Sequence, residues 1–147
     1  MRIHVEKARG DIGEAMFLYW MAVFVWIVSR PFGDKQSYDY VVDTRKKLLR
    51  VQVKTAYTKT AANSYHVCVG RSEGMKYKPF QKREIDFLVV YLMPEDAWLV
   101  LPFSALKGRV AVSIAKKGHP ARKRWEKYVG AWELMLGRKP KGLKLRS

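Results

Sequence analysis

Two stretches of the 147-residue chain hold side chains that could do chemistry together: Tyr38-Asp39-Tyr40-Val41-Val42-Asp43 and Leu49-Arg50-Val51-Gln52-Val53-Lys54-Thr55. Strand residues alternate between faces, so Leu49, Val51 and Val53 point one way and Arg50, Gln52 and Lys54 the other. Asp39, Val41 and Asp43 share a face of the preceding strand, and a suitable register lays Asp39 beside Gln52 and Lys54. A carboxylate, a neutral oxygen donor and a lysine on one sheet face are the parts needed to hold a magnesium ion and turn water against a phosphodiester. Asp39 would be the anionic ligand, Gln52 could offer its amide oxygen, and the Val53 carbonyl could add a third oxygen at an exposed strand edge. Lys54 would orient the attacking water as an amine of depressed pKa, or neutralise charge developing on the phosphate. Glu14 heads an otherwise apolar helix, where an acid needs a partner; a metal-bound water would serve. The same alternation also describes the solvated face of an ordinary amphipathic strand, and Glu14 could simply favour its helix N-terminus.

These residues must be positioned by surrounding elements. Asp11 can cap a helix over 11–22, in which Ile12, Met16, Tyr19 and Val23 recur at helical spacing. A strand over Val23–Val28 and a turn at Arg30-Pro31-Phe32-Gly33-Asp34 follow. Tyr38–Asp43 and Leu48–Thr55 form a hairpin through Thr44–Lys47, and further strands are expected at Tyr65–Gly70, Ile85–Leu92, Ala97–Leu101 and Val110–Ile114. Trp125, Val129, Trp132 and Leu136 mark a last helix over 120–136, with Pro120 in its first turn and Gly137 at its end. The order is that of an α+β fold, an α/β sandwich in which helices flank a mixed central β-sheet. With no internal repeat and no linker, the expectation is one domain over 1–137 and a basic C-terminal tail over 138–147.

Composition narrows the partners. Hydrophobic residues make up 48% and aromatics 13%, which excludes a disordered or low-complexity chain. The 29 Lys and Arg exceed the 13 Asp and Glu by a net +16, favouring a polyanionic partner, nucleic acid above all. Much of the excess lies in Lys107–Arg146, where Lys116 and Lys117 are candidate phosphate contacts. Arg71, Lys76, Lys78, Lys82 and Arg83, interleaved with Tyr77 and Phe80, form a basic and aromatic loop that could touch DNA, or equally a solvated loop with aromatic anchors. His66 and Cys68 alternate on a strand without further partners and read as core or near-core residues. One cysteine and three histidines give neither a disulfide nor a zinc set, which suits a reducing compartment. The apolar run Ala15–Val28, Trp20 and Trp26 included, falls short of the roughly 20 residues of a membrane span and reads as core. A cytoplasmic, DNA-associated protein without membrane contact is expected.

Taken in order and spacing, Gly10-Asp11-Ile12-Gly13-Glu14-Ala15, Pro31-Phe32-Gly33-Asp34, the Tyr38–Asp43 segment and Arg50-Val51-Gln52-Val53-Lys54-Thr55 resemble the PD-(D/E)XK nuclease superfamily, and more narrowly its group I intron-associated homing endonuclease branch. The resemblance extends more weakly through Tyr77, Glu84-Ile85-Asp86, the Trp98–Pro102 strand and Arg124-Trp125-Glu126; the tail after Gly137 carries none of it. It implies a restriction-endonuclease-like core and a catalytic set of Glu14, Asp39, Gln52 and Lys54. One or two Mg2+ ions would be held by Asp39, Gln52 and the Val53 carbonyl, with Glu14 reaching them through water. Gln52 stands where the commoner pattern has Asp or Glu, a PD-(D/Q)XK-type site that the branch shares. The loss of one negative charge leaves open whether Gln52 ligates, orients a water or only packs. The resemblance also implies double-stranded DNA as substrate, site-specific double-strand cleavage and a homo-oligomer, dimer or tetramer. The alternatives are a Holliday-junction resolvase of the same fold and, in another class, a non-catalytic nucleic-acid-binding module.

Overall fold

The computed structural model describes residues 5–57 and 63–140. The last seven residues of the expected basic tail therefore lie outside the described residues. Helix α1 (Val5–Val23) begins six residues before the expected cap, so Asp11 sits inside the helix. Its buried stripe is Gly13, Phe17 and Met21, spaced by four. The expected stripe is rotated away from this: Ile12, Tyr19 and Val23 keep 48%, 58% and 50% of their surface exposed. The cause is Gly13, which has no apolar side chain to signal its role. A Cβ there would stand 1.9 Å from Thr55 Oγ1, so the glycine sets the line along which the helix lies closest to the sheet.

The helix stops sooner than its apolar run. The Trp26 N–H reaches the Met21 carbonyl and the Val25 N–H that of Ala22, closing a Schellman turn with Val25 at φ 58°. The expected strand over Val23–Val28 is thereby reduced to β1 (Ile27–Ser29). Trp20 and Trp26 are half-buried, packed with Met16 and Phe24 at the edge of the core.

Strands β2 (Tyr40–Asp43) and β3 (Leu48–Ala56) pair antiparallel through the expected hairpin. The chain then makes β4 (Ser64–Cys68), β5 (Gly70–Glu73) and β6 (Lys76–Pro79) before returning as β7 (Phe87–Leu92), parallel to β3; β8 (Ala97–Pro102) pairs antiparallel with β7. The central sheet has the mixed order β1-β2-β3-β7-β8. Helix α2 (Phe103–Leu106) leads into β9 (Ala111–Ala115), which pairs with β4 as a separate ribbon, and β5 with β6 forms a second ribbon. In β4 it is Tyr65 and Val67 that are buried; His66 is exposed and Cys68 half-exposed, so this pair lies on the outer face rather than in the core.

The expected helix over 120–136 is broken into a 3-10 turn (Pro120–Arg122), α3 (Lys123–Glu126) and a second 3-10 turn (Trp132–Leu136). Between them the backbone is diverted to the open edge of β8: Val100 N–H donates to Tyr128, Gly130 N–H donates to Trp98, and Leu99 bridges Val129. Satisfying an edge strand's polar groups outweighs continuing the helix. Trp125 and Trp132 are buried as expected, but on opposite faces of the sheet. One core joins α1 and the Trp132 turn to Tyr40, Val42, Leu49, Val51 and Val53. The other joins Leu88, Val90, Leu99 and Leu101 to the β4–β9 ribbon. No helix among the described residues is long and apolar enough to cross a membrane.

Candidate active site

β2 and β3 bury Tyr40, Val42, Leu49, Val51 and Val53 toward α1, which turns Gln52 and Lys54 to the opposite face, as the alternation requires. Continuing the Tyr40–Val51 register by one residue places Asp39 opposite Gln52. The Asp39 N–H donates to the Val51 carbonyl at 3.0 Å, and the Val53 N–H donates to Asp39 Oδ2 at 2.8 Å. β2 has ended at this point, so the side chain of Asp39 takes a bond that a further strand residue would have made. The N–H and C=O of one strand residue point to the same edge, so the Val53 carbonyl faces the side on which Asp39 lies.

Burial pushes the Asp39 carboxyl above its usual range; the Val53 N–H draws it back, the Glu14 charge raises it, and Lys54 and Gln52 lower it, with a net upward shift. Those influences bring the other three sequence-identified residues, Glu14, Gln52 and Lys54, within electrostatic reach of the Asp39 carboxylate. Glu14 is carried there by α1, whose close approach at Gly13 is one residue away. Its Oε2 accepts from Arg30 and from the Tyr40 hydroxyl, each at 2.6 Å, and Arg30 also donates to the Tyr40 oxygen at 2.6 Å. Its partner in this structure is thus a protein cluster, where sequence reading supplied a metal-bound water. Tyr40 is fixed by stacking on Phe17, 5.3 Å between centroids, and its hydroxyl pKa is raised by burial and by Glu14 against the lowering effect of Arg30.

Two adjoining hollows open onto these residues. One of about 300 Å3 is lined by Glu14, Arg30, Tyr38 and Asp39. The other, of about 610 Å3, is lined by Gln52, Lys54, Arg71, Ser72, Tyr77 and Glu84 among others. Asp34 and Gln36 line both. Sequence reading did not single out Arg30, Tyr40 or Asp34 as site residues. The signal available was their place in the quoted motifs, Asp34 in the turn and Tyr40 beside Asp39.

Arg50, third on the Gln52–Lys54 face, is spent on structure. Its Nε and Nη2 hold the two oxygens of Asp86 at 3.0 Å, and its backbone N–H adds a bond to Oδ2 at 2.8 Å. Burial raises the Asp86 carboxyl, but the Arg50 hydrogen bonds and charge outweigh it and leave the pKa lowered. This clamp joins the start of β7 to β3.

The expected DNA-contacting residues divide. Arg71 is paired with Glu84 at 3.0 Å and Glu73 at 3.7 Å, and Lys78 with Glu73. Lys76, Lys82 and Arg83 are exposed, and the Lys82 and Arg83 carbonyls accept from Arg50. Lys116 and Lys117 are exposed beyond the end of β9, where the Lys117 N–H donates to Glu95, and they line neither hollow. Among the described residues no three His, Cys, Asp or Glu side chains cluster as a metal site; the oxygen donors gathered here are two carboxylates, an amide and a strand carbonyl.

Comparison with known proteins agrees with this architecture. A bacterial homing endonuclease, I-Ssp6803I, superposes with a TM-score of 0.78 at 28% identity, covering 89% of this chain and 93% of the other. MepB is more distant, with a TM-score of 0.49 at 12% identity over 78% of this chain and 94% of its own. No curated protein sequence matches. The sequence model of the PD-(D/E)XK endonucleases matches residues 4–135, nearly the whole of the chain described above, and the chain belongs to the PD-(D/E)XK endonuclease family.

Proposed function

We propose that this protein is a magnesium-dependent, site-specific endonuclease that cuts both strands of duplex DNA, working as a homo-oligomer. The observation that carries the reading is the convergence on Asp39: Val53 bonded to it, Gln52 opposite it in register, and the charges of Glu14 and Lys54 acting on it. Acids beside an approaching phosphate are repulsive unless a cation lies between them, which a purely DNA-binding module would not need. The net charge of +16 and the likeness to a homing endonuclease favour DNA as the polyanion and a defined target site.

The donor set fits magnesium. Every candidate donor is oxygen, as a small hard cation prefers, and the few protein ligands leave room for the waters that magnesium retains. Asp39, the Gln52 amide oxygen and the Val53 carbonyl would hold it, with Glu14 reaching it through water. When bound, the ion supplies Lewis-acid charge to the phosphodiester and makes a nucleophile of water at neutral pH. Lys54 stands on the same strand face as Gln52, where its ammonium neutralises charge building on the phosphoryl oxygens. Arg30 and Tyr40 hold Glu14 in place and offset part of its repulsion of Asp39.

The test is incubation of the purified protein with linear duplex, supercoiled DNA and four-way junctions, with Mg2+ or EDTA, and mapping of the ends. Double-strand cuts at one site that need Mg2+ are expected, and are lost in Asp39→Ala and Lys54→Ala while DNA binding persists. Cleavage confined to junctions would replace this reading by a resolvase. DNA binding without cleavage under every metal condition would leave a binding module.

A further inference from the structure

We propose that the β5–β6 hairpin is a base-reading ribbon that enters the major groove beside the reaction site, with Ser72, Met75 and Tyr77 as its reading side chains. The inference rests on the nuclease reading and assigns the part of the molecule that would recognise sequence. The hairpin is its own two-stranded sheet, and every residue of β6 is exposed. Its turn is Gly74-Met75, with Gly74 at φ 64° and Met75 fully exposed at the tip. Antiparallel strands about 5 Å apart, with side chains on each face, match a groove about 12 Å wide that admits a two-stranded ribbon.

The two faces of the hairpin are chemically different. Register pairs Arg71 with Lys78 and Glu73 with Lys76 on one face, and Ser72 with Tyr77 on the other. On the first face Glu73 binds both Arg71 and Lys78, and Glu84, from the segment leading to β7, binds Arg71 again. Cations engaged this way stiffen the ribbon against the body of the protein and have less charge to offer a phosphate. Arg71 and Lys78 are therefore reassigned from DNA contacts to positioning residues. On the other face the Tyr77 hydroxyl can donate and accept, and the Ser72 hydroxyl, which donates to the Gly74 carbonyl at 3.3 Å, can accept; with Arg71 and Glu84 at its wall, Ser72 and Tyr77 line the same hollow as Gln52 and Lys54. Duplex lying against that hollow meets the ribbon and the reaction site together. A Tyr or Ser hydroxyl can bond base edges, and the Met75 side chain offers an apolar contact of the kind a thymine methyl accepts.

The experiment is affinity selection from a pool of randomised duplexes, run on the full chain in Ca2+ to suppress cutting, with wild type, Met75→Ala and Tyr77→Ala. Thermal melts check the fold, which exposed positions leave intact. The variants are expected to lose about 5- to 100-fold discrimination at a few adjacent base pairs while other positions keep their preference. The slope of log K against log salt should stay unchanged, since neither residue is charged. A consensus identical to wild type in both variants overturns the ribbon assignment and leaves the nuclease reading standing. Equal weakening on every sequence also overturns it, making the hairpin a nonspecific clamp. If the wild-type chain enriches no duplex at all, both readings fail.

Discussion

The backbone N–H of Val53 and the carboxylate of Asp39, 2.8 Å apart, complete a sheet hydrogen bond after the strand that should have made it has ended. A side chain thus replaces backbone at the edge of the hairpin. The same carboxylate also feels the Gln52 side chain, which draws its pKa down, and it lies on the edge that the Val53 carbonyl shares. Asp39→Asn keeps an acceptor for Val53 but removes the charge. Single-turnover cleavage should fall by about 1,000-fold, equivalent to several kcal/mol of lost stabilisation, while equilibrium binding of duplex is retained.

The elevated pKa of Asp39 gives a signed pH effect on stability. The folded state holds its proton more tightly than the unfolded state, whose value is 3.8. The native state thus binds more protons in the window just above 3.8, and the unfolding free energy falls as pH rises through it. The group's contribution is fully present below 3.8 and is lost above the folded value. Without metal, Asp39→Asn should therefore melt higher than wild type at pH 8, and the gap should close at pH 4. Scans at both values, in EDTA, check this; a gap that widens on acidification contradicts the burial argument.

Gly13→Ala drives a methyl group into Thr55 Oγ1. The helix must shift, at a cost of about 1–3 kcal/mol by urea denaturation, and Glu14 shifts with it. Adding Thr55→Ala removes the nearest obstacle and should recover most of the loss. Two additive effects, with no coupling in the double-mutant cycle, would show that the helix does not bear on Thr55.

Val25 sits at φ 58° in the C′ position of the Schellman turn, a conformation a β-branched residue adopts only under strain. Val25→Gly should raise the unfolding free energy by about 1 kcal/mol and the melting temperature by a few degrees. Little apolar contact is sacrificed, because Val25 is 64% exposed.

The hairpin and the grouping of Asp39, Gln52 and Lys54 on it are legible in the sequence because they rest on strict two-residue alternation: Arg50, Gln52 and Lys54 alternate with Leu49, Val51 and Val53, and the register needs only the Thr44–Lys47 connection to be right. The rest of the central sheet is legible for a different reason, the continuous apolar runs of β7 and β8, whose residues are buried on both faces. The face of α1 was not, because its closest contact is a glycine that hydropathy does not count. The final helix was misread because the β8 edge, which captures Tyr128–Gly130, is thirty residues away and invisible to local periodicity. Arg30 escaped notice because its value to Glu14 and Tyr40 depends on three elements meeting. The β5–β6 hairpin reads from sequence as a loop, because the density of charge masks the Gly74-Met75 turn between its short polar strands.

The hairpin's ladder hydrogen bonds close upon themselves, and the crossover that contains it joins two strands whose parallel register is set elsewhere. Lengthening or exchanging its tip therefore leaves the five-strand ladder unaltered. Evolutionary drift, or an engineer, has here a place where novelty can accumulate while the hydrolytic machinery stays untouched.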